Sequence, residues 1–232
     1  MTGPGSRGIN LPRWAPVPAE GRRVVAAFDV DRTVTSGDCV VPFMMRVGGR
    51  IRVTARLGGT GLVHLPVVLR RDRDRFKALA ARAVFTGRSM ADVERHADEF
   101  AATLTGARLR DDVLARMQSH HEQGHAVVWV SASFAVYLRP LAARLGIVDA
   151  VLGTELAVAD DGRCTGELSG ANCRGPEKVR RLHAWLDERG GGRAAVELWA
   201  YGDSAGDRDL LADADHAVWA KGPLAPMPEP VP

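Results

Sequence analysis

Cysteine is scarce in this chain. There are three in 232 residues, Cys39, Cys164 and Cys173, and none forms a Cys-x-x-Cys pair. An odd, widely spaced set argues against a disulfide framework or a thiolate zinc site and reads as reduced thiols of a cytoplasmic protein. Long apolar runs are missing as well. The stretch Gly61 to Leu69 is broken by His64 and Pro66, far short of the ~20 apolar residues a bilayer-spanning helix needs. The opening segment, Met1 to Gly8, lacks the apolar centre of a signal peptide, so we expect a cytoplasmic protein with no transmembrane segment. Nor is one sign of charge in large excess. Thirty-one Lys and Arg stand against 28 Asp and Glu, a net +3, with acids interspersed among the bases. That balance argues against a nucleic-acid partner and leaves at most a weak pull toward anionic substrates.

What is present suits one buried core. Hydrophobic residues make up 46% of the chain, enough for a full core plus a small inserted module. Three apolar runs of strand length occur, at Val24–Phe28, Ala126–Val130 and Val196–Tyr201, the last broken only by Glu197. Such runs mark strands covered on both faces. Each ends in small or acidic residues and is followed by a helical pattern, as in a doubly wound, mainly parallel α/β sheet. Shorter strands are predicted at 149–152 and 217–220, and a hairpin over 154–168 around Asp160-Asp161-Gly162. Helical periodicity covers 73–84, 89–104, 111–123, 136–145, 176–188 and 207–214, with Ser89 and Asp92 as a capping start. The span from 40 to 110, between the first two long strands, is too long for a simple crossover and reads as an inserted helical cap. The α/β core is then 21–39 and 111–221. The Gly- and Pro-rich tails, 1–20 and 222–232, are expected to be disordered. His120, His121 and His125 read as a solvated helix end, and the Arg70–Arg75 run as an exposed helix start.

Four stations carry chemistry. Asp29 and Asp31 follow the first strand two positions apart, which on an extended chain puts both side chains on one face. Two carboxylates ~4 Å apart repel by about 4 kcal/mol at an effective dielectric of ~20, so a cation or a proton is expected between them. Such a pair suits a metal site, an acid/base pair, or both. Ser131-Ala132-Ser133 ends the second strand, where hydroxyls and amides at a helix start suit a phosphate oxygen. Lys178 begins a helix and offers a point cation. Asp203 and Asp207 follow the third long strand. Acid, hydroxyl, amine and acid at one sheet edge are what phosphoryl transfer requires.

These residues, in this order, resemble the haloacid dehalogenase superfamily of phosphatases, in particular its phosphoserine phosphatase-like branch (subfamily IB) with a helical cap after the first motif. Asp29-Val30-Asp31-Arg32-Thr33 is similar to its first motif, Ser131 to the second, Lys178 to the third, and Gly202-Asp203 with Asp207 to the fourth. The resemblance spans roughly residues 22 to 220. It implies that Asp29 attacks phosphorus and that Asp31 serves as general acid and base. Ser131, Ala132 and Lys178 would grip phosphoryl oxygens, and Thr33 would shape the loop around the substrate. Asp29, Asp31 through its backbone carbonyl, and Asp203 would hold Mg²⁺. Asp207 would orient the metal's water shell or Lys178. Asp38 stands near the place where phosphoserine phosphatases use a glutamate on the substrate amine. Arg32 stands where the family often has glycine, and is expected to point outward. The implied activity is a Mg²⁺-dependent phosphatase on a small phosphorylated substrate, whether phosphoserine-like, histidinol phosphate-like or a lipid phosphate. A phosphotransferase and an inactive phospholigand-binding regulatory protein are the alternatives.

Overall fold

The computed structural model describes residues 21–49, 73–106, 108–189 and 191–225. Six strands form one sheet: β1 (Arg23–Phe28), β2 (Ala126–Phe134), β3 (Ala150–Val158), β4 (Cys164–Ser169), β5 (Val196–Gly202) and β6 (His216–Trp219). Their order is β4-β3-β2-β1-β5-β6. Only β4 runs antiparallel to its neighbour, through the 154–168 hairpin. β1 lies in the middle, parallel to both β2 and β5. The chain builds outward from β1 on one side and then returns to its other flank. That reversal opens a crevice at the carboxyl ends of the central strands, where open α/β sheets bind ligands.

The apolar runs alternate between two cores. Ala26, Phe28, Val127 and Trp129 belong to one buried cluster, and Val25, Ala27, Val128 and Val130 to the other. The helices α4 (Asp111–Glu122) and α5 (Ala135–Leu145) cover the first face, α2 (Arg73–Phe85) packs on β4, and α1 (Val40–Gly48) and α3 (Met90–Thr105) join the same cluster by packing on α2 and α5. α6 (Pro176–Asp187) and α7 (Arg208–Asp213) cover the second. Burial on both faces explains why these strands are apolar throughout. The helices of the 40–110 span join the same core through aromatic rings. Phe43 and Phe100 lie 4.8 and 5.4 Å from the Tyr137 ring, and Phe85 lies 5.3 Å from Phe134.

Several expectations need correction. Ser89 precedes α3, but its side chain makes no capping bond. Helix α1 is a separate element that the periodicity did not single out. His120 is fully buried rather than solvated. Its ring bonds Tyr201 Oη and His125 Nδ1, both at 2.8 Å. The carboxyl tail is pinned as far as Ala225: Arg110 donates to Gly222 O (2.7 Å), and Leu224 N–H donates to Asp112 (2.8 Å). The tail segments 1–20 and 226–232, the apolar stretch 61–69 and the start of the Arg70–Arg75 run lie outside the described residues.

Candidate active site

The first station works differently from its sequence reading. β1 ends at Phe28, and the chain leaves the sheet at once. Thr35 N–H donates to Val30 O (2.9 Å), closing a wide turn in which Arg32 has φ of 63°. Left-handed backbone costs a non-glycine residue roughly 1–2 kcal/mol, so the turn is held by its surroundings. Asp29 N–H donates to Tyr201 O of β5 (2.9 Å), which fixes the start of the turn against the neighbouring strand. The Asp29 and Asp31 carboxylates are therefore aimed by this turn and not by strand alternation.

Asp29 is buried. Its Oδ1 accepts from Lys178 Nζ at 2.6 Å, and the same ammonium reaches Asp207 Oδ1 at 2.6 Å. Burial, against the pull of Lys178, pushes the Asp29 carboxyl up to about 7. Burial also works against the Lys178 charge, yet the Asp29 and Asp207 charges overcome it and hold the ammonium protonated above its ordinary value. Asp31 turns elsewhere. Its Oδ2 accepts from Ser133 Oγ (2.7 Å) and its Oδ1 from Cys39 N–H (3.1 Å). Burial, and then the Asp38 charge, push it up to about 6. The pair thus has one carboxyl bound to a cation and another bonded to uncharged donors beside Asp38.

Ser131, Ala132 and Ser133 belong to β2 and do not open a helix; α5 starts only at Ala135. The β2–β3 ladder shifts register between Val130 and Phe134, so the strand is irregular at this point. Ser131 is buried, and its Oγ accepts from Ser133 N–H (3.1 Å). Thr33 is fully buried, and its hydroxyl has no partner among the described residues.

The fourth station is a tight turn. Asp207 Oδ2 accepts from Ser204 N–H (2.9 Å) and Ser204 Oγ (2.7 Å), and Ser204 Oγ accepts from Gly206 N–H (3.2 Å). Gly202 leaves room for it. A Cβ at that position would lie 2.5 Å from the Asp207 Cβ and 2.8 Å from its Cγ. Gly202→Ala should therefore displace Asp207 and, with it, Lys178. We expect a drop of at least tenfold in any turnover, at a stability cost of about 1–3 kcal/mol; unchanged kinetics would show that the contact relaxes harmlessly.

Asp29, Asp203 and Asp207 each offer one oxygen, all within 4.8 Å of one another. A set made only of carboxylate oxygens suits a hard divalent cation such as Mg²⁺. Asp207 already spends one oxygen on Lys178 and the other on Ser204, which leaves Asp29 Oδ2 and the half-buried Asp203 as the better-placed donors. The Asp31 carboxylate is not part of this group.

A cavity of about 420 Å³ joins these residues. Asp29, Asp31, Ser131, Ala132, Lys178, Asp203 and Asp207 all line it, as does exposed Asp38, whose Oδ1 accepts from Val41 N–H (3.2 Å). Thr33, fully buried, is not among the lining residues. Arg32 is exposed, as expected, but also borders the cavity. Val40, Met44 and Phe76, from α1 and α2, form an apolar wall. Asn172, Arg174 and Ser204 also line the cavity. Sequence reasoning missed them; their adjacency to the third and fourth stations was the available signal. Among the described residues, no helix is long and apolar enough to cross a membrane.

The family model for haloacid dehalogenase-like hydrolases matches residues 26–212. The chain belongs to that family. It is 36% identical over 198 residues to Protein CicA of Caulobacter vibrioides, an alignment covering 83% of each chain. Among solved structures, a protein of unknown function from Bordetella pertussis Tohama I superposes with a TM-score of 0.64 at 23% identity, over 82% of this chain and 86% of that one. A substrate-bound phosphoserine phosphatase superposes with a TM-score of 0.55 at 17% identity, over 84% of each. These superpositions place the haloacid dehalogenase-like chain in the fold it shares with phosphoserine phosphatases.

Proposed function

We propose that this hydrolase is a Mg²⁺-dependent phosphatase that cleaves small phosphate monoesters through an aspartyl-phosphate on Asp29. The observation that carries the reading is the division of labour between the two carboxylates in one cavity. Asp29 bonds the Lys178 ammonium, which favours its ionised form against burial, and lies at the end of the central strand, where a nucleophile meets phosphorus. Asp31, turned to Ser133 and Cys39, gives a proton to the leaving oxygen and then takes one from the water that releases phosphate. Lys178 and the Ser131–Ser133 segment hold the phosphoryl oxygens. Asp29 and Asp203 hold the cation, while Asp207 keeps Lys178 in place. Bound there, Mg²⁺ would supply charge neutralisation for the phosphoryl group. The helices of the 40–110 span act as a cap over the cavity and keep bulk water from the first transfer.

The test is phosphate release from a panel containing nitrophenyl phosphate, phosphoserine, histidinol phosphate and a lysophosphatidate. Release should occur with Mg²⁺, vanish with EDTA and return on adding Mg²⁺ back. No release from any ester under these conditions would overturn the reading.

A further inference from the structure

Within the Ser131–Ser133 segment one hydroxyl does not face the cavity. Ser131 and Ala132 line it, whereas Ser133 is fully buried and is not among the lining residues. A buried hydroxyl is costly unless it bonds a partner. Ser133 Oγ donates to Asp31 Oδ2 at 2.7 Å, across 102 residues of sequence. Its backbone N–H donates to Ser131 Oγ at 3.1 Å. The strand end that carries Ser133 is itself fixed. The Ala132 carbonyl accepts from Thr154 Oγ1 of β3 (2.9 Å) and from the Lys77 ammonium of α2. The other Asp31 oxygen, Oδ1, accepts from Cys39 N–H at 3.1 Å, only eight residues along the same chain segment. Of the two bonds, the one from Ser133 ties the carboxyl to the central sheet.

That tie bears on proton transfer. Asp31 lines the cavity, and a carboxyl that accepts one bond at each oxygen still has a lone pair or a proton to present there. In the first transfer an Asp29 oxygen forms a bond to phosphorus while the ester P–O bond breaks. The bonding pair leaves with the ester oxygen, which takes the Asp31 proton, and Ser133 keeps its own. An acid serves only within hydrogen-bond reach of the oxygen it protonates, and a misplacement of ~1 Å costs about 10²-fold. We propose that Ser133 is a positioning residue whose hydroxyl anchors the Asp31 carboxyl to β2 and holds it at the leaving oxygen. This rests on the phosphatase reading, and the test separates the two.

For the full chain in Mg²⁺, kcat/KM is measured with two esters. The leaving oxygen of phenyl phosphate needs a proton, whereas the phenolate of 2,4-dinitrophenyl phosphate departs without one. This ratio covers the steps through the first transfer, before water enters. Ser133→Ala keeps the backbone amide and removes the hydroxyl. Its loss should be at least about tenfold larger for phenyl phosphate than for the dinitrophenyl ester. Ser133→Thr, which restores a hydroxyl, should bring the two losses back within about threefold of each other. Equal losses for both esters in Ser133→Ala, a larger one for the dinitrophenyl ester, or no loss for either would overturn the proposal and leave the phosphatase reading standing. So would a gap between the esters as wide in Ser133→Thr as in Ser133→Ala. If Ser133→Ala fails to fold, Ser133→Cys, of similar size and only a weak donor, decides by the same comparison. No release from either ester by the unmodified protein would overturn the phosphatase reading and the proposal with it.

Discussion

Asp29→Asn should abolish phosphate release, by at least about 10³-fold in kcat, the scale expected when a covalent nucleophile is removed. The amide keeps the shape and still accepts from Lys178, so the cavity should remain. What it loses is the anionic oxygen that attacks phosphorus, and with it one negative charge beside the cation. Stability supplies the control. The Asp29 carboxyl is held at about 7 in the folded chain, chiefly by burial, well above its ordinary value. An acid raised in this way binds more protons folded than unfolded between its two pKa values. Its ionisation therefore erodes stability as pH rises through that window. Asp29→Asn removes this penalty, so its metal-free melting temperature above pH 7 should equal or exceed that of the unmodified chain. A dead and equally stable variant identifies the nucleophile. A dead variant with a collapsed melting temperature would show only that the site was destroyed, and a variant with near-normal turnover would rule out the aspartyl-phosphate route.

Why some of this was legible in the sequence follows from which interactions are local. β1, β2 and β5 could be read because a strand buried on both faces is apolar at nearly every position along its centre, a signal needing no partner. The hairpin could be read from Asp160-Asp161-Gly162 for a similar reason. The order of acid, serine, lysine and acid was also visible, since each follows a strand or opens a helix. The routes were less so. Asp31 reaches its position because the chain turns through Arg32 at φ of 63°, whereas the spacing of two suggested simple strand alternation. Ser131 to Ser133 continue β2 through an irregular register, which a serine-rich strand end does not reveal. His120 was read as solvated because histidines and Gly124 cluster at a helix end. Its burial depends on Tyr201, 81 residues away. Lys77 could be noticed but not oriented. Which face of α2 meets the cavity is set by packing against β4 and by the Asp74–Asn172 bond, contacts that no local pattern encodes.

Lys178→Met should cost more in stability than any other change at the site. The side chain is 1% exposed and bonds two carboxylates at once. Methionine fills a similar volume but brings no charge, leaving Asp29 and Asp207 buried and facing each other. Removing one partner of a buried ion pair costs about 3–5 kcal/mol, against a total of ~5–15 kcal/mol for a typical domain. At roughly 2–4 °C per kcal/mol for a chain of this size, the melting temperature should fall by about 10 °C without metal. The deficit should then depend on two conditions. Lowering the pH toward 5 protonates the unopposed carboxyls and should narrow it. Saturating Mg²⁺, binding the same acids in the folded chain alone, should narrow it as well. Phosphate release should not recover with the metal, because the cation that grips the phosphoryl oxygens and favours the ionised form of Asp29 is gone. A variant that melts like the unmodified chain, or regains turnover in Mg²⁺, would mean that Lys178 does not bridge the two acids in solution.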